Sequence, residues 1–221
     1  VSKMNILLTA GATREPIDSV RYLSNISSGA TGAALAERLA AAGHRVTLLH
    51  GEGAVRPAGA SGVDCVVFGS TAQLGERLRA ALGTGTFDVV IHAAAVSDYQ
   101  PAAVAAEKLS SDADNMTIHL VPTPKLLPQL RGWSPNPVRV VGFKLTTGAG
   151  PAERAAAVGK LLSRGGVDAV VQNDTLDLSG AGAGRTFRLF AGSAEDASAT
   201  IVNGMPALRE WRVRGVNAGP R

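Results

Sequence analysis

The chain has one cysteine, Cys65, among its 221 residues. No disulfide can close within it, and no multi-cysteine metal site is available. Cys65 lies in the apolar run VDCVVF and reads as a buried strand residue. Aromatic residues make up only 4%, so the expected core is aliphatic, with helices lying closely on a sheet. No stretch reaches the roughly 18 apolar residues that a membrane helix needs. The opening VSKMNILLTAG lacks the apolar core and cleavage site of a signal peptide, and a reducing cytoplasm suits all of this. Runs of Lys and Arg interleaved with aromatics are missing, as are zinc-finger and RNA-recognition patterns, which argues against nucleic acid. There is no P-loop, no Gly-x-Ser-x-Gly elbow and no Cys/His metal cluster. A dinucleotide fingerprint would place three glycines within about six residues after the first strand, and only Gly11 stands in place. Neither Tyr22 nor Tyr99 is followed four residues later by Lys, so an NAD-dependent oxidoreductase is the weakest of the enzyme readings.

What is present is 45% hydrophobic and 18% charged residues, with a formal net charge of +4 and a pI of about 9.6. This length suits a single domain or a domain with an arm. The basic balance marks either an ordinary surface or a site for a polyanion, such as a nucleotide or a phosphorylated substrate.

Asn5 to Gly11 is a short apolar run ending in glycine, the pattern of a buried strand. After a polar stretch, Ala30 to Ala42 is rich in helix formers and Gly43 closes it. Arg45 to Leu49 is the next strand, which completes a βαβ unit with parallel strands. Further strands are expected at Cys65–Phe68, Phe87–His92, Met116–Val121, Val138–Phe143 and Val167–Gln172. Helices are expected at Thr71–Leu82, with Leu74, Leu78 and Leu82 on one face, and at Ala152–Arg164. Thr123-Pro124 reads as the cap and first position of a short helix. Ser179 to Gly184 reads as a turn, and Thr186–Ala191 as a hairpin strand on an antiparallel extension. An arm is expected at about residues 96–122, with 179–203 a second candidate, and an irregular tail after about 204. The sum is an α/β domain with a doubly wound, mostly parallel Rossmann-like sheet. Such sheets bind ligands beyond the carboxyl ends of the strands, where strand order reverses. The loops Gly11–Ser28 and Ala93–Lys108 are the expected walls.

The first loop carries Arg14, Arg21, Asn25, Ser27 and Ser28, then Gly29 at a helix start. A helix N-terminus offers unpaired N–H groups to an anion, while Ser and Asn also serve as simple caps. In the second wall, Ala93 and Ala94 let a ligand approach the backbone, and Asp98 can accept from ribose hydroxyls, hold a metal or serve as a turn residue. His92 reads as a packed strand residue rather than a catalyst. Lys108 stands in a segment poor in other cations. Lys160 and Arg164 sit four apart on one helix face, and convergent cations suit a triphosphate.

TAGATREPIDSVRYLSNISSG closely resembles the signature loop of the phosphopantothenoylcysteine synthetases. AAAVSDY, VGFKL and VDAVVQND resemble further family blocks in the same order, and the likeness runs from about residue 4 to 191. KLSS followed by TPKLL and GFKL is similar to the stand-alone bacterial branch. The bifunctional proteins carry a Lys-x-Lys-Lys there and an N-terminal flavin-dependent decarboxylase domain. The resemblance implies a ligase that joins 4'-phosphopantothenate to cysteine. CTP or ATP, with Mg²⁺, activates the carboxylate as an acyl-nucleotidylate, and the cysteine amine displaces the nucleotide. It implies that Asn25 contacts the acyl intermediate, that Arg21 neutralises substrate charge, and that Lys108 stabilises the triphosphate as pyrophosphate leaves. It places Gly11, Ser27, Ser28, Gly29, Ala93, Ala94, Asp98, Phe143, Lys160 and Arg164 at or near nucleotide contacts and assigns no residue to the metal. It implies a homodimer, with a separate flavin-dependent decarboxylase as partner. The alternative is a relative that binds nucleotide without turnover.

Overall fold

The computed structural model describes residues 3–59, 62–111, 114–176, 186–191 and 198–203. The first strand, β1 (Asn5–Ala10), leads through two short strands, β2 (Arg14–Pro16) and β3 (Tyr22–Ser24), into helix α1 (Ala30–Ala41). Then come β4 (Arg45–Gly51), β5 (Val63–Phe68), α2 (Thr71–Gly83), β6 (Val89–His92), β7 (Tyr99–Pro101) and β8 (Leu120–Pro122). Two single 3₁₀ turns, Leu127–Gln129 and Arg131–Trp133, precede β9 (Arg139–Thr146), α3 (Pro151–Ser163), β10 (Ala169–Asp174), β11 (Thr186–Ala191) and β12 (Ser198–Asn203).

Eight strands form one sheet in the order β12-β11-β10-β9-β6-β1-β4-β5. The six from β10 to β5 run parallel, and β11 and β12 add antiparallel at one edge. This matches the expected doubly wound sheet with its antiparallel extension. The central strands are buried on both faces, so their sequences are nearly continuous apolar runs. Leu7, Leu8, Leu48, Val90, Val140 and Val170 have no exposed surface, and each contributes roughly 2 kcal/mol by leaving water. Ile6, Leu8, Val46, Ile91 and Val141 face Leu35 and Ala36 of α1 on one side. Leu7, Leu49, Val90 and Val140 face Leu74, Leu78 and Leu82 of α2 on the other. Helix α1 lies so close to β1 that a Cβ on Gly32 would stand 2.3 Å from the Ala10 Cβ. Ser70 caps α2 by accepting from the Gln73 amide, and α3 opens with Pro151 after Gly150, whose N–H donates to Glu153.

The structure corrects several sequence expectations. Cys65 is exposed, because β5 is the last strand of the sheet and part of its outer surface is uncovered. The strand expected at Met116–Val121 is only the three residues of β8, paired antiparallel with β7. Thr123 caps no helix: its hydroxyl donates to the Ser97 carbonyl, and the helical turn starts at Leu127. Helix α3 ends at Ser163 with Arg164 as its C-cap. The Ser179–Gly184 turn and the tail after residue 204 lie outside the described residues.

Candidate active site

The chain runs from β1 to β4 and β5 on one side of the sheet, then crosses to β6, β9 and β10 on the other. Strand order therefore reverses between β1 and β6, and the loops leaving those two strands form a crevice. The two loops extend the sheet past its strand ends. The Ala95 N–H donates to the Gly11 carbonyl at 2.8 Å, the Thr13 N–H donates to the Ala95 carbonyl at 3.2 Å, and Ala12 bridges Ala95.

The floor is backbone. Gly11 and Gly29 adopt φ of 82° and 74°, a region open to glycine at little cost. A Cβ on Gly11 would stand 2.8 Å from the Ala54 Cβ, one on Gly29 3.2 Å from the Gly11 nitrogen, and one on Gly51 2.4 Å from the Ala12 oxygen. The helix start at Gly29 has no side-chain cap and no acidic residue in its first turn, which leaves its N–H groups and dipole suited to an anion.

Buried polar groups fix the first loop. Thr13 Oγ1 accepts from the Ser97 N–H at 3.0 Å and lies 3.2 Å from the Thr71 hydroxyl oxygen. Glu15, 1% exposed, accepts from the Thr71 hydroxyl at 2.6 Å and the Thr71 N–H at 3.0 Å. The Asp18 carboxylate accepts from the amides of Val20, Arg21 and Leu109 and from Arg21 Nη1. The Val20 amide above all, then those of Leu109 and Arg21 and the Arg21 charge, hold this carboxyl below the usual carboxylate range against the opposing effect of burial. Arg21 Nη2 also donates to the Leu109 carbonyl at 3.3 Å. The first loop thereby grips the segment that carries Lys108.

Two recesses open from the crevice. One, about 270 Å³, is lined by Arg14, Tyr22, Ser24, Asn25, Ser27 and Glu52, with Ala12, Ile26, Gly53 and Ala54 between them. Arg14 lies 4.7 Å over the Tyr22 ring and 3.6 Å from Glu52. The other, about 130 Å³, is lined by His92, Asp98, Lys125 and Arg164 among Val96, Leu126, Leu127, Leu161 and Val167. Asp98 forms an ion pair with Lys125. His92 is 7% exposed, and burial pushes its imidazole down to about 4, so it is neutral at ordinary pH.

The expected site residues divide accordingly. Asn25 and Ser27 share the larger recess, and Asn25 Nδ2 donates across the crevice to the Val96 carbonyl at 3.1 Å. Ser28 Oγ accepts weakly from the Ala30 N–H, and its carbonyl accepts from Val55. Asp98 and Arg164 share the smaller recess. Ala93 and Ala94 are pinned to Thr9 through its carbonyl and hydroxyl. Lys108 is exposed and has no ion-pair partner among the described residues. Phe143, on β9, packs on the α1 face of the sheet, and exposed Lys160 sits on α3; neither lines a recess. Sequence reasoning missed Asp18 and Asp174. The Asp174 carboxylate accepts from the Thr146 hydroxyl and from the amides of Gly148, Ala149 and Leu176. The Thr146 bond leads in holding it far below the usual range, and burial opposes. An Asp two residues before Val20 is a readable turn signal. Asp174 had none, since all but one of its hydrogen-bond partners lie 25 or more residues away.

A doubly wound sheet with its crevice at the switch point defines a Rossmann-like α/β protein. The chain belongs to the family described as DNA/pantothenate metabolism flavoprotein C-terminal domain, which it matches over residues 1–196. It is 36% identical over 168 residues to the coenzyme A biosynthesis bifunctional protein CoaBC of Thermococcus kodakarensis, an overlap of 76% of this chain and 40% of that protein. The chain thus spans about two fifths of that relative's length. Among solved structures it resembles the DNA/pantothenate metabolism flavoprotein from Streptococcus pneumoniae, with TM-score 0.80 and 25% identity over 94% of this chain and 95% of that one. It also resembles the C-terminal domain of coenzyme A biosynthesis bifunctional protein CoaBC, with TM-score 0.72 and 26% identity over 95% and 92% of the two chains.

Proposed function

We propose that the chain is a phosphopantothenate–cysteine ligase of coenzyme A biosynthesis acting in the cytoplasm. The observation that supports this most directly is the crevice itself. There Asn25 reaches across to the wall after β6, and Asp18 and Arg21 hold the Lys108 segment against the loop after β1. The family membership agrees with it.

In this reading a carboxylate oxygen of 4'-phosphopantothenate attacks the α-phosphorus of CTP or ATP, and pyrophosphate leaves. Lys108, exposed and without an ion-pair partner among the described residues, meets the negative charge that builds on the departing phosphates. The α1 N-terminus, with Ser27, Ser28 and Gly29, cradles phosphate oxygens through backbone N–H groups. Catalysis of this kind comes mainly from positioning and charge stabilisation. Asn25 then orients the acyl carbonyl while the cysteine amine attacks the acyl carbon. The nucleoside monophosphate leaves with the electron pair of the broken C–O bond, and the amine gives up a proton. Arg21, one third exposed, adds positive charge beside the first loop. Asp98 and Arg164, which share the smaller recess, flank the nucleotide, and Phe143 and Lys160 stand outside both recesses. No three His, Cys, Asp or Glu side chains gather as a metal cage among the described residues. Mg²⁺ is bound mainly through substrate phosphates and water in such sites, so here it arrives as part of the nucleotide complex.

Tyr99, Val104, Met116, Ile118, Leu120 and Val121 expose apolar surface along residues 99–121, which supports the arm of a homodimer. Light scattering should give twice the chain mass, and a monomer at working concentration would remove the dimer. A flavin-dependent decarboxylase is the partner enzyme implied.

The test is pyrophosphate release with 4'-phosphopantothenate and Mg²⁺, comparing CTP with ATP, with and without cysteine. Release that depends on phosphopantothenate is expected. Binding of a nucleotide without release would leave a non-catalytic relative.

A further inference from the structure

His92 ends β6 on the sheet face that carries Val90, the face covered by α2 and the 3₁₀ turns. Its register neighbour on β9 is Gly142, which has no side chain to fill the space beside the ring. Leu127 and Leu161 lean over that glycine, 3.1 and 3.3 Å from where its Cβ would stand, and both also line the smaller recess. The recess is the room left between these residues and the imidazole.

One ring nitrogen is already engaged: Nδ1 lies 2.9 Å from Thr9 Oγ1. That oxygen also accepts from the Ala94 N–H at 3.1 Å, and Thr9 has no exposed surface. Its own hydroxyl hydrogen has no acceptor other than Nδ1 among the described residues, and a buried donor left unpaired is costly. This assigns Nδ1 as acceptor and puts the ring hydrogen on Nε2. Nε2 has no hydrogen-bond partner among the described residues. The sealed side-chain nitrogen or oxygen atoms without partners among those residues amount to Arg154 Nε alone. Nε2 is therefore not sealed, and the open space beside His92 is the recess.

We infer that His92 is a ligand-contacting residue: its Nε2–H donates to an acceptor atom on the nucleoside half of the nucleotide seated in this recess. The inference rests on the ligase reading, which supplies the nucleotide, and adds a residue that reads it. The walls select the nucleoside half. Val96, Leu126, Leu127, Pro128, Leu161 and Val167 make most of the lining apolar, which suits a flat ring or a sugar better than a phosphate chain. Burial keeps the imidazole uncharged, so the recess presents a directed neutral donor where a protonated ring would bind phosphate without discrimination. Charges stand beside it in Asp98, Lys125 and Arg164, and the first two already neutralise one another.

The test uses the intact chain labelled with ¹⁵N-histidine, titrated with CTP, ATP or inorganic tripolyphosphate, with calorimetry in parallel to establish saturation. The Nε2 resonance of His92 should read as the protonated nitrogen before ligand is added. It should move on saturation with the preferred nucleotide and stay fixed with tripolyphosphate, while Nδ1 holds. His92→Phe should weaken nucleotide binding about tenfold, the loss of one hydrogen bond, and leave tripolyphosphate binding unchanged. Nucleotide binding without movement of Nε2, or equal movement with tripolyphosphate, would overturn the inference and leave the ligase reading standing. Failure of both nucleotides to bind would overturn both. If the variant does not fold, the titration of the unaltered chain still decides.

Discussion

The two loops that leave the sheet at its switch point are held in opposite ways. The loop after β1 is anchored from within: Thr13, Glu15 and Asp18 are buried, and each is hydrogen-bonded to groups outside the loop. The segment after β6 starts equally fixed at Ser97, then turns outward, and Val104, Lys108, Met116 and Leu120 all face solvent. It touches the first loop at a few backbone points, chiefly Leu109 on Asp18 and Ala105 on Ile17. The lesson is a contrast in anchoring: one loop is a rigid frame, and the other leans on it while turning its side chains to solvent.

The sharpest break of this contrast is Lys108→Gln. Loss of the charge should cut pyrophosphate release by about 10² to 10³. The unfolding free energy should stay within about 0.5 kcal/mol, as for an exposed surface residue. An equal fall in both would mean that Lys108 belongs to the frame. Next is Asn25→Asp. It should let the acyl-nucleotidylate form but slow its reaction with cysteine by roughly tenfold or more, because a carboxylate cannot donate to Val96 or to the acyl oxygen. Quenched-flow trapping of the intermediate would decide, and normal cysteine-dependent turnover would remove the role.

Thr71→Val addresses the frame. The change keeps the shape of the side chain and removes the hydroxyl that Glu15 accepts from, at a cost of about 2 kcal/mol. Urea unfolding should show it with catalysis little changed below the transition.

The smallest effect near neutrality is that of pH. Asp18 and Asp174 have folded pKa values below their unfolded ones. Their stabilisation is complete above the ordinary carboxylate range and fades as pH falls through the folded values. His92 is also lowered, from 6.5 to about 4, so the unfolded chain binds the extra proton between those values. Stability from His92 is full above about 6.5 and declines by up to about 3 kcal/mol as pH falls to about 4. Thermal melts should be level from pH 8 to about 6.5 and fall from there to pH 4, and a flat profile from 6.5 to 4.5 would mean that the ring takes up its proton in the fold as readily as in the unfolded chain.

Much of this frame was readable in the sequence. Parallel strands buried on both faces must be apolar throughout, so β1, β4, β6, β9 and β10 announced themselves, and Leu74, Leu78 and Leu82 gave the face of α2. Apolarity alone cannot tell an edge strand from a central one, and Cys65 was misplaced for that reason. Alternation at Met116–Val121 suggested a strand longer than the one that forms, because most of that stretch has no neighbouring strand to pair with. In the site, the donor-rich first loop and Asp98 were visible as residue types at a strand end. The partners were not: Lys125 meets Asp98 from 27 residues away, and Leu109 meets Asp18 from 91. Such pairs are made by the crossover of the chain and leave no local trace.

The glycine floor sets a limit on how this crevice can diverge. At Gly11, Gly29 and Gly51 even a methyl group would enter occupied space, and at the first two it would also meet a left-handed backbone. Selection acting on ligand preference has no accessible single step there. Variation in what the crevice accepts is confined to the rim, where the exposed Asp98, Lys125 and Arg164 can each be exchanged while the turns beneath them keep their course.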